Sequence, residues 1–270
     1  MNDFFPQWRN ASDATSEATR DDAAAEPWRA WNDQRAALAE GLMRLNREGR
    51  ALDAALPQPS LPSGLDALAP GQALTRILQS YSSQKAVWGR DRLVATSRQL
   101  REQGMRPTED AFFYTDLRAM NVISHAIEER IIAERLDCEV YAGFQRLSLL
   151  RPQFNRYRAL LDSARYVYAY GLDDMAGQAP DPRLAQLQPP RFLRFTIAQQ
   201  LQTGMEWFWF VVVDDPRLRT ALLAQHTEGD LWAHEQNARR YTGLWTFDAQ
   251  TVADIVTVLR RAARTLFYAQ

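Results

Sequence analysis

The chain of 270 residues carries 32 basic and 33 acidic side chains, for a formal charge of −1, a balance without the concentrated basic surface that general nucleic-acid binding needs. Cys138 is its single cysteine, so no internal disulfide can form, no Cys/His set has zinc spacing, and a reducing cytoplasm is the expected location. No run reaches the apolar length of a signal-peptide core or a membrane span, which excludes a membrane role from the expectations.

In chain order, residues 1–27 are Ala, Asp, Ser, Thr and Glu with few large apolar side chains, and are expected to form a disordered tail, because ordering them would bury little. Residues 28–56 place Trp31, Leu38, Leu42, Leu45 and Leu52 at near-helical spacing, the pattern of an amphipathic helix that packs on its own domain or serves as a partner-binding arm. Residues 57–71, with four prolines, read as a linker, and residues 72–270 as the folded domain. Gln72 to Gln103 is helical in character, with Leu74, Ile77, Leu78 and Tyr81 on one stripe and a break at Gly89.

Gly104 and Pro107 stop that segment, and Thr108 followed by Glu109-Asp110 is expected to cap a new helix. Its stripe runs Phe113, Leu117, Met120, Ser124, Ile127 and Ile131. Ser124, inside that apolar stripe, is read first as a hydroxyl bonded back to the carbonyl one turn earlier. Cys138–Gln145 alternates as a strand, with Cys138, Val140, Ala142 and Phe144 on the core face and Glu139, Tyr141, Gly143 and Gln145 on the other. Pro152 opens a helix with Phe154, Tyr157, Leu160 and Leu161 inward, and Tyr166–Tyr170 is a further strand. Met175–Arg191 holds four prolines and reads as a lid or binding loop.

Trp207 to Val213, seven aromatic and β-branched residues stopped by Asp214-Asp215-Pro216, leaves no polar face and is expected to be a central strand covered on both sides. Pro216 is expected to open a helix to about His226, followed by a loop over 227–238. Thr242–Phe247 is the last strand, and Asp248 caps a closing helix with Val252, Ile255, Val256, Leu259 and Leu266 buried. The fold class is therefore mixed α/β (α+β), a central mixed sheet of about four to six strands flanked by helices, with a helical or disordered N-terminal extension.

No Gly-rich phosphate loop, nucleophile elbow or zinc helix is present. His125, His226 and His234 are separate in sequence, and Trp207, Trp209, Trp232 and Trp245 are either core residues or the lining of a pocket for a flat ligand. Asp173, Asp174, Asp214 and Asp215 follow strands, a position shared by metal-binding carboxylates and by ordinary turn acids.

Several short stretches together resemble one family. Val122-Ile123-Ser124-His125-Ala126-Ile127-Glu128, Ala142-Gly143-Phe144-Gln145, Arg156-Tyr157, Val167-Tyr168-Ala169-Tyr170-Gly171, Glu206-Trp207 with its apolar run, and Trp245-Thr246-Phe247-Asp248 are similar, in order and spacing, to the DICT domain. The likeness runs from about Leu93 to the C-terminus. It implies a bacterial or archaeal sensory module associated with cyclases, two-component systems and light- or stress-linked signalling, and it carries no cofactor over. Family members usually sit beside an output domain, and these 270 residues hold no cyclase, phosphodiesterase or kinase signature. Output is therefore expected through a signalling protein partner or a homodimer. The first functional reading is a non-catalytic sensory or adaptor domain that binds a partner and a small ligand. The alternatives are a metal-dependent enzyme acting on a nucleotide or phosphorylated small molecule through the four aspartates, and a structural protein assembling through residues 28–56. Gln145, Glu206, Trp245, Ser124 and Tyr170 are the candidate ligand- or partner-binding residues. Gln145 is expected to project from the face opposite Phe144 and to meet Glu206 and Trp245 in one cleft.

Overall fold

A computed structural model describes residues 64–82, 86–175, 181–187, 191–197, 203–229 and 239–268. The expected tail at 1–27, the helix at 28–56, residues 57–63 of the linker at 57–71 and most of the 227–238 loop lie outside the described residues.

Eight strands form one mixed sheet: β1 (Val87–Trp88), β2 (Ala111–Asp116), β3 (Glu139–Arg146), β4 (Tyr166–Leu172), β5 (Phe192–Thr196), β6 (Phe208–Asp215), β7 (Leu218–Glu228) and β8 (Arg240–Thr246). Their spatial order is β1-β2-β8-β7-β6-β3-β4-β5. The pairs β1/β2, β3/β4 and β4/β5 are parallel and the rest antiparallel. Among the described residues five α-helices accompany it: α1 (Pro70–Ser82), α2 (Arg90–Gln103), α3 (Leu117–Glu134), α4 (Phe154–Leu161) and α5 (Ala249–Tyr268). The mixed sheet with flanking helices expected from the sequence is thus present, and β6 lies inside it between β7 and β3.

Side-chain alternation explains the two helical layers. Phe113, Val140, Ala142, Phe144, Val211, Val213, Leu222 and Trp245 join Leu93, Met120, Ile127, Tyr157 and Leu160 in one core, so α2, α3 and α4 cover that face. Phe112 and Leu244 pack on Leu78 of α1 on the other face, where α5 also lies against β6 and β7. Two crossings need the absence of a side chain. A Cβ on Gly143 would come within 2.3 Å of the Phe210 ring, and one on Gly243 within 2.3 Å of the Phe113 ring.

Four segments differ from the sequence expectations. The run from Gln72 to Gln103 is two helices, α1 and α2, with the expected break at Gly89, the residue that precedes α2, but the short edge strand β1 also lies between them. The helix expected from Thr108 begins only at Leu117, capped by Asp116, whose carboxylate accepts the Ala119 N–H at 3.0 Å. Ala111–Asp116 is instead strand β2, because its neighbouring aromatics Phe112 and Phe113 are buried on opposite sides of the sheet, an arrangement helical spacing does not allow. The helix expected from Pro216 is strand β7. Asp215 pairs with Leu218 across a Pro216-Arg217 turn, in which the Asp215 carboxylate accepts the Arg217 backbone N–H at 2.8 Å. Leu and Ala favour helix locally, yet β7 lies between β6 and β8 and buries both its faces, so tertiary packing decides its conformation. Phe192–Thr196, left without an element in the sequence reading, is the edge strand β5.

Candidate functional site

Ser124 and Glu128 stand one turn apart on α3 and face the same way, toward α4 and the strands β3 and β6. Glu128 is only 3 % exposed, an expensive position for a carboxylate without partners. Its partners come from α4. The Tyr157 hydroxyl donates to Oε1 at 2.8 Å, and Arg156 lies 3.5 Å from Oε2 while donating to the Gln153 side chain at 2.9 Å. His125 flanks the group, and its Nε2 is buried with no hydrogen-bond partner among the described residues. Between these side chains and Ala142, Phe144 and Trp209 is a cavity of about 10 Å³, room for one water molecule at most.

The electrostatics follow from burial. Loss of solvent pushes the Glu128 carboxyl up to about 7, against the opposing effects of the Tyr157 hydrogen bond and the Arg156 charge. Burial, and then the Arg156 charge, pushes His125 down to about 4. The crevice therefore holds a carboxyl that exchanges its proton near neutral pH beside an imidazole that stays neutral there.

The residues singled out from the sequence are dispersed. Ser124 lines this crevice, and its hydroxyl donates back to the Met120 carbonyl at 2.9 Å, as expected for a serine inside a helix. Gln145 is fully buried at a bulge in β3, with a left-handed φ of 59°. Its amide donates to the Trp207 carbonyl at 3.5 Å and accepts from the Tyr241 hydroxyl at 3.2 Å. Tyr241 belongs to the same core as Phe144, so the bulge turns Gln145 onto the face it was expected to point away from. Trp245 does not join Gln145 and Glu206 in one cleft: it lies four residues further along β8 than Tyr241, roughly 13 Å, with its indole N–H donating to the Thr220 hydroxyl at 3.1 Å. Glu206 sits in the 3₁₀ turn before β6, next to Trp207, whose exposed ring stacks on His226. Tyr170 faces the opposite layer and donates to the Leu259 carbonyl of α5 at 3.1 Å.

The four aspartates fall into two separate pairs. Asp173 and Asp174 follow β4 beside the end of β3, and Asp214 and Asp215 end β6, which runs antiparallel to β3, so the pairs occupy opposite ends of the sheet. Asp174 accepts the Ser148 backbone N–H at 2.9 Å, Asp173 that of Met175 at 3.1 Å, and Asp214 pairs with Arg219 at 2.6 Å. Among the described residues no group of three or more His, Cys, Asp or Glu side chains is placed to hold a metal ion. Glu128, Arg156 and Tyr157 had no place among the candidate residues. The available signal was a carboxylate one turn after Ser124 within an otherwise apolar stripe.

The family model described as "Sensory domain in DIguanylate Cyclases and Two-component system" matches residues 93–227, which is 135 of the chain's 270 residues. No curated protein and no solved structure matches the chain. The matched span contains α3, α4, β3 and β6, and so every side chain that lines the Glu128 crevice.

Proposed function

The chain belongs to the DICT family, the sensory domain of diguanylate cyclases and two-component systems, and from that premise we propose that it is a non-catalytic module whose input is read at the α3–α4 crevice and passed to a signalling protein partner. One observation carries this reading. Four of the stretches that resemble the family, those holding Ser124 to Glu128, Ala142 to Phe144, Arg156-Tyr157, and Trp209 with its apolar run, meet around a single buried carboxyl. Such a group has two states close in free energy near neutral pH, and a packed helix pair converts them into two arrangements of α4. A small ligand that donates to Glu128 or displaces Arg156 would act on the same balance.

The test uses the tagged 270-residue chain, its Glu128→Gln variant, which replaces the carboxyl by a permanently neutral amide, and its Tyr157→Phe variant. Each is used at pH 8 to capture partners from the source cell. The expected result is recovery of a protein with a cyclase, phosphodiesterase, kinase or DNA-binding domain, changed fivefold or more in Glu128→Gln, with both variants still folded by their melting curves. Recovery of no such protein, or equal recovery by all three chains, would overturn the proposal. Light scattering on the same samples shows whether the captured partner is instead a second copy of this chain.

A further inference from the structure

At the far edge of the sheet, α2 ends at Gly104 in a left-handed turn whose N–H bonds back to the Leu100 carbonyl, and Pro107 lies in the loop that follows. Between that loop and the outer side of α2 lies a cleft of about 240 Å³, roughly eight water volumes. It shares no lining residue with the Glu128 crevice. Its floor is Trp88 of β1, only 2 % exposed, whose indole N–H is buried and has no hydrogen-bond partner among the described residues. A buried donor left unmatched is unusual, since most buried polar groups find a protein or solvent acceptor, and an indole N–H can only donate.

The walls are also rich in donors. The Arg92 guanidinium lies 3.8 Å from the centre of the Trp88 ring and is fixed there by Glu109 at 3.0 Å, which neutralises it. Arg106, Gln99, Thr96 and Thr108 add further donors to a lining that Met105 and Pro107 complete, and among the described residues Arg106 forms no ion pair. Glu109, the one carboxylate in the lining, is thus already engaged with Arg92, and Arg106 adds a further positive charge to a lining that also holds the unmatched indole N–H. We infer that this cleft is a binding site for a small oxyanion-bearing metabolite, a carboxylate or phosphate ester, with Trp88 and Arg106 as the groups that contact the anion. The volume lies below the usual range of about 300–1,000 Å³ for drug-sized ligands, which limits the occupant to a compact acid. Binding there bears on α2, which packs on α3 and pairs with it through Arg101 and Glu129 at 3.8 Å, so the site is placed to bias the crevice without being part of it.

The experiment is an NMR titration of the ¹⁵N-labelled full chain, following the tryptophan indole resonances, with inorganic phosphate in one arm, succinate in a second and chloride at matched ionic strength in a third. The Trp88 resonance is assigned as the one missing in Trp88→Phe. The expected result is a saturable shift of that resonance by phosphate, succinate or both but not by chloride, weakened about tenfold or more in Arg106→Gln, because a charged hydrogen bond contributes on that scale. Arg98→Gln, on α2 outside the cleft, should titrate like the parent chain. A Trp88 resonance unmoved by both acids up to about 20 mM, or a shift that Arg106→Gln leaves unchanged, would overturn the inference. Neither result bears on the Glu128 crevice, whose test does not involve Trp88 or Arg106.

Discussion

At the scale of single residues, Glu128 and His125 pull the pH dependence of stability in opposite directions. The Glu128 carboxyl rises on folding from 4.5 to about 7, so the folded state holds its proton longer than the unfolded state does. Its contribution is therefore complete below about pH 4.5 and is lost as the pH rises to about 7. The full change corresponds to about 3 kcal/mol. His125 falls from 6.5 to about 4, so its contribution is complete above pH 6.5 and is lost as the pH drops toward 4. Denaturant unfolding of the parent chain and Glu128→Gln from pH 5 to pH 8 should show the variant gaining about 2.5 kcal/mol relative to the parent over that range. A constant gap would mean that Arg156 holds the carboxylate ionised throughout. Gln145 calls for a different forecast. Exposed polar residues usually cost little on substitution, but this one is fully buried, with bonds to Tyr241 and the Trp207 carbonyl. Gln145→Ala should lower stability by about 1–3 kcal/mol in the same assay, and a loss below about 0.5 kcal/mol would indicate that the bulge does not depend on those bonds.

At the scale of elements, the strands that could be read from the sequence were those whose composition agrees with their environment. Trp207 to Val213 and Tyr166 to Tyr170 are rich in aromatic and β-branched residues, and they form β6 and β4 with small shifts of boundary. Legibility failed where local preference and packing disagree. The Leu- and Ala-rich β7 has the composition of a helix, and Phe113 happens to continue the α3 stripe across the Asp116 cap. The Glu128 site shows the same limit. A carboxylate on a buried stripe was visible, but its partners Arg156 and Tyr157 lie 28 and 29 residues further on, and only the sheet brings α4 beside α3. The central strand gives the sharpest element-level forecast. Val212 is fully buried, between Tyr141 of β3 and Ala221 of β7, in an interior strand. Val212→Asp places an unpaired carboxylate there at a cost of several kcal/mol, against a typical domain stability of about 5–15 kcal/mol. Circular dichroism should find no cooperative melt, and a folded variant would contradict burial of both faces of β6.

At the scale of the whole molecule, no described helix is long and apolar enough to cross a membrane, and the described sheet with both helical layers falls within residues 64–268. Removing residues 1–60 is accordingly expected to leave a cooperative thermal transition within a few degrees of the parent, checked by calorimetry. Loss of that transition would place residues 28–56 in the core. The organisation of the molecule also puts its two sites in different relations to the fold. The Glu128 crevice lies between α3, α4 and the middle of the sheet, and the Trp88 cleft lies at the sheet's edge. The proposed sensory role needs two packings of the interior, which the two charge states of Glu128 would select. Hydrogen exchange of the α3 and α4 amides in the parent chain and in Glu128→Gln, at pH 5.5 and pH 8 and corrected for intrinsic exchange, tests that claim most directly. These two helices, alone among the described elements, are expected to lose about tenfold or more in protection in the parent at pH 8 and to keep it in Glu128→Gln. Equal protection of α3 and α4 in both chains at both pH values would contradict it.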